Sequence, residues 1–140
     1  MTRGLVDTNI VILRQRIDPL ELPDEIAIST VTLAELSAGP HQVGSGRGYD
    51  EAAERARRLE VLQRVEHEFD PIPFDVDAAR AYGRVVAAVV AAGRPPRRRV
   101  ADLMIASIAM SEGLALYTTN PADFAGLDGL LSVVAVTRPA

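Results

Sequence analysis

Gly4-Leu5-Val6-Asp7-Thr8-Asn9 is the stretch from which the remaining chain is read. The apolar pair Leu5 and Val6 is too short and too near the start for a helix, so it predicts a buried first strand. Asp7 ends that strand, and the carboxyl ends of strands are where α/β sheets hold their ligands. Aspartate is equally a preferred helix N-cap. Asp7 or Thr8 capping a helix through Asn9-Ile10-Val11-Ile12-Leu13 is therefore the structural reading of the same residues.

Outward from this stretch, short apolar runs alternate with helical patterns. The first helix fades at Arg14-Gln15-Arg16 before Pro19, and Ile26-Ala27-Ile28 predicts a second strand. Ser29 or Thr30 caps a helix over Val31 to Ala38, stopped by Gly39-Pro40. It is apolar nearly all round except for Glu35 and so reads as buried. His41 to Gly48 holds three glycines and predicts a flexible connection. A long helix follows over Tyr49 to Phe69, its charged face read as solvated. Pro71-Ile72-Pro73-Phe74 suggests a third strand near an edge. Asp75 then caps a helix over Val76 to Ala92, whose charge-free Val85 to Val90 run predicts burial on both sides or contact with a partner, the core reading first. Arg94-Pro95-Pro96-Arg97-Arg98-Arg99 leads into a helix from Val100 to Met110, closed by Gly113, in which Asp102 is the only charge. Leu114 to Tyr117 and Val133 to Val136 complete the strands, with a short helical turn at Pro121 to Phe124. This order predicts an α/β fold, a three-layer α/β/α sandwich around a mainly parallel sheet of four to five strands.

Composition narrows the chemistry. The 140 residues fit a single domain spanning 1–140, with 48% hydrophobic and 24% charged residues and only 4% aromatics. There is no cysteine, which excludes thiol nucleophiles and Cys-based zinc sites. His41 and His67 lie in no metal-binding spacing, so any metal site must be built on oxygen. The longest apolar run, Val85 to Ala92, falls far short of the roughly 20 residues that span a bilayer. No signal peptide precedes the first strand, and a cytoplasmic protein without membrane contact is expected. A net charge of −4 argues against a uniformly basic nucleic-acid-binding coat but leaves room for a local patch at Arg94, Arg97, Arg98 and Arg99.

Four carboxylates stand where an apolar residue or a neutral cap would serve: Asp7, Glu35, Asp102 and Asp123. In a parallel sheet all four can converge on one edge. Two ionised carboxylates about 4 Å apart repel by roughly 4 kcal/mol at an effective dielectric of about 20. Several such pairs rival the ~5–15 kcal/mol by which a whole domain is stable. Protons or a divalent cation must therefore neutralise the cluster, and magnesium or manganese suits an oxygen-only donor set.

Leu5-Val6-Asp7-Thr8-Asn9, Thr32-Leu33-Ala34-Glu35-Leu36-Ser37-Ala38-Gly39, Ala101-Asp102-Leu103-Met104-Ile105-Ala106 and Thr118-Thr119-Asn120-Pro121-Ala122-Asp123-Phe124 resemble the four motifs of PIN-domain nucleases. Their order and spacing are similar to those of the VapC toxins of toxin–antitoxin pairs. The resemblance implies a magnesium-dependent endoribonuclease, with manganese able to substitute, silenced by a VapB-type antitoxin and commonly dimeric. It implies that Asp7 and Asp102 hold the principal metal, that Glu35 orients water or a ligand in support, that Asp123 supports a second metal or the outer shell unless it simply caps the 121–125 turn, and that Asn9, Thr118 and Asn120 steady the acids. Arg94, Arg97, Arg98 and Arg99, a few residues before Asp102, are then candidates to hold an RNA backbone. A metal mechanism needs no protein nucleophile. Two other readings compete: a catalytically silent PIN-like binding module, and a haloacid-dehalogenase-like phosphohydrolase with Asp7 as nucleophile. Against the last, Asn9 occupies the place of that family's second Asp.

Overall fold

The computed structural model describes residues 1–44 and 50–140. Its sheet has four parallel strands in the order β2-β1-β3-β4: β1 Arg3–Val6, β2 Glu25–Ala27, β3 Ala115–Thr118 and β4 Val133–Ala135. Helix α1, Thr8–Leu13, and α2, Thr30–Ala38, follow the first two strands. Helices α3, Glu51–Glu68, α4, Val76–Ala91, and α5, Val100–Glu112, come before β3.

The alternation of side chains along each strand builds the two outer layers. Leu5, Ala27 and Leu116 lie side by side in register and face a core that includes Val85 and Val89 of α4 and Leu103, Ile105 and Ala106 of α5. Their neighbours Val6, Ile28 and Tyr117 face the opposite side, against Ile10 and Val11 of α1, Leu36 of α2 and Val65 of α3. Both faces of the sheet are thus covered, as the alternating pattern predicted.

Several local expectations need correction. Residues 71–74 form no strand. Pro71 and Pro73 have no N–H, so the segment manages one rung only: the Ile72 amide donates to the Ile28 carbonyl and its carbonyl accepts from Thr30, each at 2.9 Å. Helix α2 is not buried all round; Val31, Thr32 and Leu36 are inside, while Ala34, Glu35 and Ser37 are exposed. In α4 the charge-free run buries one face only, Val85 and Val89, and leaves Val90 outside. Helix α3 begins at Glu51 because the Asp50 carboxylate caps the amides of Ala52 and Ala53. Of the glycine-rich connection, His41 and Gln42 belong to a 3-10 turn over Gly39–Gln42; residues 45–48, and Tyr49 as the expected helix start, lie outside the described residues.

Strand order fixes where a ligand can sit. The chain passes from β1 outward to β2 on one side and returns to β3 on the other, so the switch point lies between β1 and β3. Beyond their carboxyl ends β1 leads into α1, which packs on one face, and β3 into the turn at Pro121–Phe124, whose Phe124 packs on the other, the arrangement that leaves a crevice at such a point. The Asp7 amide donates to the Tyr117 carbonyl at 3.1 Å, extending the ladder by one rung and holding Asp7 at that point.

Gly4 is a packing requirement of the same strand pair. A Cβ at Gly4 would fall 2.3 Å from the Tyr117 ring and 3.2 Å from Pro23. Gly4→Ala is expected to cost about 1–3 kcal/mol in denaturant unfolding, as overpacked sites do. In a double-mutant cycle with Tyr117→Ala the two changes should cost less together than their sum. Simple additivity would show that the ring does not press on this position.

Candidate active site

A cleft of about 1200 Å³ opens at the switch point, and its lining includes Asp7, Glu35, Asp102 and Asp123. Each acid arrives on a different element. Asp7 follows β1, buried to 6% exposure, and both its oxygens are engaged. Oδ1 accepts the Ile10 amide at 3.1 Å and so caps α1, while Oδ2 accepts the Thr118 hydroxyl at 2.5 Å. The cap and the site are therefore the same carboxylate. Thr118, fully buried at the end of β3, also accepts the Asn120 amide at 3.0 Å.

Glu35 projects from the exposed side of α2. Its Oε1 accepts the Thr8 hydroxyl at 2.6 Å, and the Thr8 oxygen stands 3.0 Å from that of Thr32. A hydroxyl has one proton to give, so Thr8, donating to Glu35, must accept from Thr32. Ser29 in turn donates to Thr32 at 3.4 Å, and both Ser29 and Thr32 are fully buried. A chain of hydroxyls thus runs from the core to the Glu35 carboxylate.

Asp102 lies in the first turn of α5, half-buried, where the helix N-terminus favours negative charge. Its helix neighbours Ile105 and Ala106 are fully buried. Asp123 sits in a 3-10 turn, Pro121–Phe124, pinned by the buried Phe124. It caps nothing: Arg99 pairs with Oδ1 and the Asn120 side-chain amide donates to Oδ2 at 2.9 Å.

The acids feel one another. Burial pushes the Asp7 carboxyl above the usual aspartate range, the Glu35 charge adds to it, and the Thr118, Ile10 and Asn9 hydrogen bonds oppose it. Asp102 is raised by burial, then by Glu35 and Asp7, with Arg99 opposing. Among the described residues no three such side chains form a ready-made cation cage. The donor set nonetheless fits a hard divalent ion: every candidate ligand is a carboxylate oxygen, and two of them hold their charge at a cost.

Of the remaining expected residues, Asn9 lines the cleft. The arginine cluster divides. Arg99 is committed to Asp123, and Arg94 donates to the Ala125 carbonyl at 3.2 Å. Arg97 and Arg98 are exposed, and neither is among the residues lining the cleft. Sequence reading missed Arg57 and Arg58 of α3, which do line it. Both pair with Glu54, and Arg58 also donates to the Gly39 carbonyl at 2.9 Å. It missed Thr8 as well, whose bond to Glu35 leaves no trace at a separation of 27 residues.

A model of the PIN domain matches residues 4–130. Ribonuclease VapC5 of Mycobacterium tuberculosis is 36% identical over 133 residues, covering 93% of this chain and 91% of the relative. The tRNA(fMet)-specific endonuclease VapC of Shigella flexneri is 29% identical, covering 93% and 96%. Among solved structures, the VapBC-5 toxin–antitoxin structure from Mycobacterium tuberculosis superposes with a TM-score of 0.79 at 35% identity, over 95% of this chain and 96% of the other. The chain belongs to the PIN-domain family, and within it to the VapC ribonucleases. The dehalogenase-like alternative falls away with that membership.

The raised acids give a signed pH dependence. Burial in the folded state disfavours the charged form of Asp7 and of Asp102. As pH falls through their raised pKa range, the native state takes up protons that the unfolded chain does not yet bind, so these groups add stability. Their contribution is complete below the ordinary aspartate value of 3.8. Asp7→Asn keeps a capping side chain and removes the charge. In metal-free solution it should melt above the parent protein at neutral pH, with the gap closing on acidification. A lower melting temperature at neutral pH would show that the Asp7 charge is not strained.

Proposed function

We propose that the cleft is the active site of a magnesium-dependent endoribonuclease, with manganese able to substitute, acting as the toxin of a toxin–antitoxin pair. The observation that carries this reading is the meeting of Asp7, Glu35, Asp102 and Asp123 in one cleft at the switch point. Asp7 and Asp102 would hold the cation, since burial disfavours the charge of both and a bound ion would offset it. When bound, the ion would supply a Lewis acid for the scissile phosphate and a water made more acidic.

The chain's own residues supply orientation. Thr118 and the Ile10 amide fix both Asp7 oxygens, so this ligand needs no reordering when it is used. Glu35 has one oxygen tied to Thr8 and the other free to orient a water and take up its proton. Asn120 steadies Asp123, and Asn9 borders the cleft beside Asp7. Arg97 and Arg98, exposed and making no ion pair among the described residues, are suited to holding the backbone of single-stranded RNA.

A VapB-type antitoxin is the proposed inhibitor, supported by the VapBC complexes among the similar solved structures. We read the chain as one domain, dimeric and cytoplasmic. No helix among the described residues is long and apolar enough to cross a membrane, and a closed two-fold pair is the commonest soluble assembly.

Cleavage of defined RNAs by the purified chain should require magnesium or manganese and stop with EDTA. Losing a direct ligand through Asp7→Asn or Asp102→Asn should cost more than the roughly 10–100-fold typical of outer partners. Activity that survives both substitutions would refute this site, and tight partner binding with no cleavage of any RNA would favour a silent binding module. In the Asp7→Asn background, the Arg97→Ala/Arg98→Ala pair should lower the salt dependence of single-stranded RNA binding by a slope of about 1.4, at about 0.7 per phosphate contact. An unchanged slope would remove these arginines from the RNA path.

A further inference from the structure

We propose that the Arg99 guanidinium is the built-in counter-charge of Asp123, so that the cleft takes one divalent cation, at Asp7 and Asp102, rather than two. This rests on the metal-dependent reading of the cleft given above and settles how many ions that reading requires.

Both Asp123 oxygens have partners, as those of Asp7 do, but one of them is a cation: Arg99 holds Oδ1 and Asn120 holds Oδ2, whereas Asp7 accepts only from the neutral Ile10 amide and Thr118 hydroxyl. The ion pair is also better shielded than the Arg3–Glu25 pair, and about as well shielded as Arg58–Glu54, at 34% and 24% exposed. The Arg99 and Asp123 side chains are 35% and 22% exposed, against 46% and 59% for Arg3 and Glu25. Both partners are anchored through the backbone. The Arg99 amide donates to the Pro96 carbonyl at 3.2 Å, and its own carbonyl accepts the Leu103 amide at 2.9 Å. The guanidinium is thereby tethered to the turn of α5 that presents Asp102. On the other side, the Asp123 amide donates to the Asn120 carbonyl at 3.1 Å.

A cation entering at Asp123 would have to stand beside the Arg99 guanidinium, a like charge, or displace it and break a charge-assisted bond. One at Asp7 and Asp102 leaves the pair intact. The lost bond alone weakens a second ion by roughly tenfold to a hundredfold. Arg99 is thus a positioning residue: it holds Asp123 at the cleft wall and does the neutralising that a second metal would otherwise do. It is also distinct in use from Arg97 and Arg98 beside it, which are solvent-facing.

The test is the number of Mn²⁺ ions bound per chain, read from the loss of the free-ion electron paramagnetic resonance signal as the metal-free, full-length protein is titrated. The parent protein, Arg99→Lys and Asp123→Asn should each bind one ion, with the Asp123→Asn affinity near that of the parent. Arg99→Gln should bind two. The proposal is overturned if the parent binds two ions of affinity within tenfold of each other, if Asp123→Asn loses the tight ion, or if folded Arg99→Gln still binds one. Should Arg99→Gln fail to fold by circular dichroism, the parent and Asp123→Asn counts decide. A parent protein that binds no Mn²⁺, or binds it equally with Asp7→Asn, would overturn the metal-site reading itself and this inference with it.

Discussion

The Asp7 carboxylate is the constraint on which the site depends. It stands buried at the end of the central strand, capping α1 with one oxygen and accepting the Thr118 hydroxyl with the other. The first bond ties the carboxylate to the helix that leaves β1, and the second ties it to the last residue of the neighbouring strand β3. Neither outweighs burial together with the nearby Glu35 charge. The fold thus holds this carboxyl where burial disfavours its charge, a pattern found at functional sites.

Around this group the architecture supplies acids from separate directions. Glu35 comes from a helix whose buried face, Val31, Thr32 and Leu36, fixes its exposed face toward the opening. Asp102 comes from the start of α5, the most deeply buried helix, and Asp123 from a turn locked by Phe124. Each is carried by an element whose apolar side cannot rotate without exposing core, so the carboxylates are held near one another at the expense of local electrostatics. Stability given up at such a place is what a ligand can return.

Much of this was legible in the chain because strand ends are marked by a change of chemistry. Leu5-Val6 gives way to Asp7, and Leu116-Tyr117 to Thr118, so both strand ends at the crevice could be read from residue type alone. What escaped reading was decided by docking between elements. The polar face of α3 looks the same whether it meets water or a cleft, and only its packing against α2 brings Arg57 and Arg58 to the opening. Ala34 carries no signal of side, so α2 seemed buried all round. The charge-free run of α4 hid an exposed Val90, since alanine and valine serve on either side of a helix boundary. At Ile72 the flanking prolines were read as an edge strand, whereas two missing donors allow only a single bridge.

The central claim is that these acids are tolerable together because they share a divalent ion. Its most direct measure is the thermal midpoint of the metal-free chain titrated with Mg²⁺ at neutral pH, beside Asp7→Asn and Asp102→Asn under the same conditions. An ion that binds only the folded state must raise the midpoint with concentration, and the account predicts such a rise for the parent protein and its loss in both variants. A midpoint that ignores Mg²⁺, or that climbs equally in all three proteins, would contradict it.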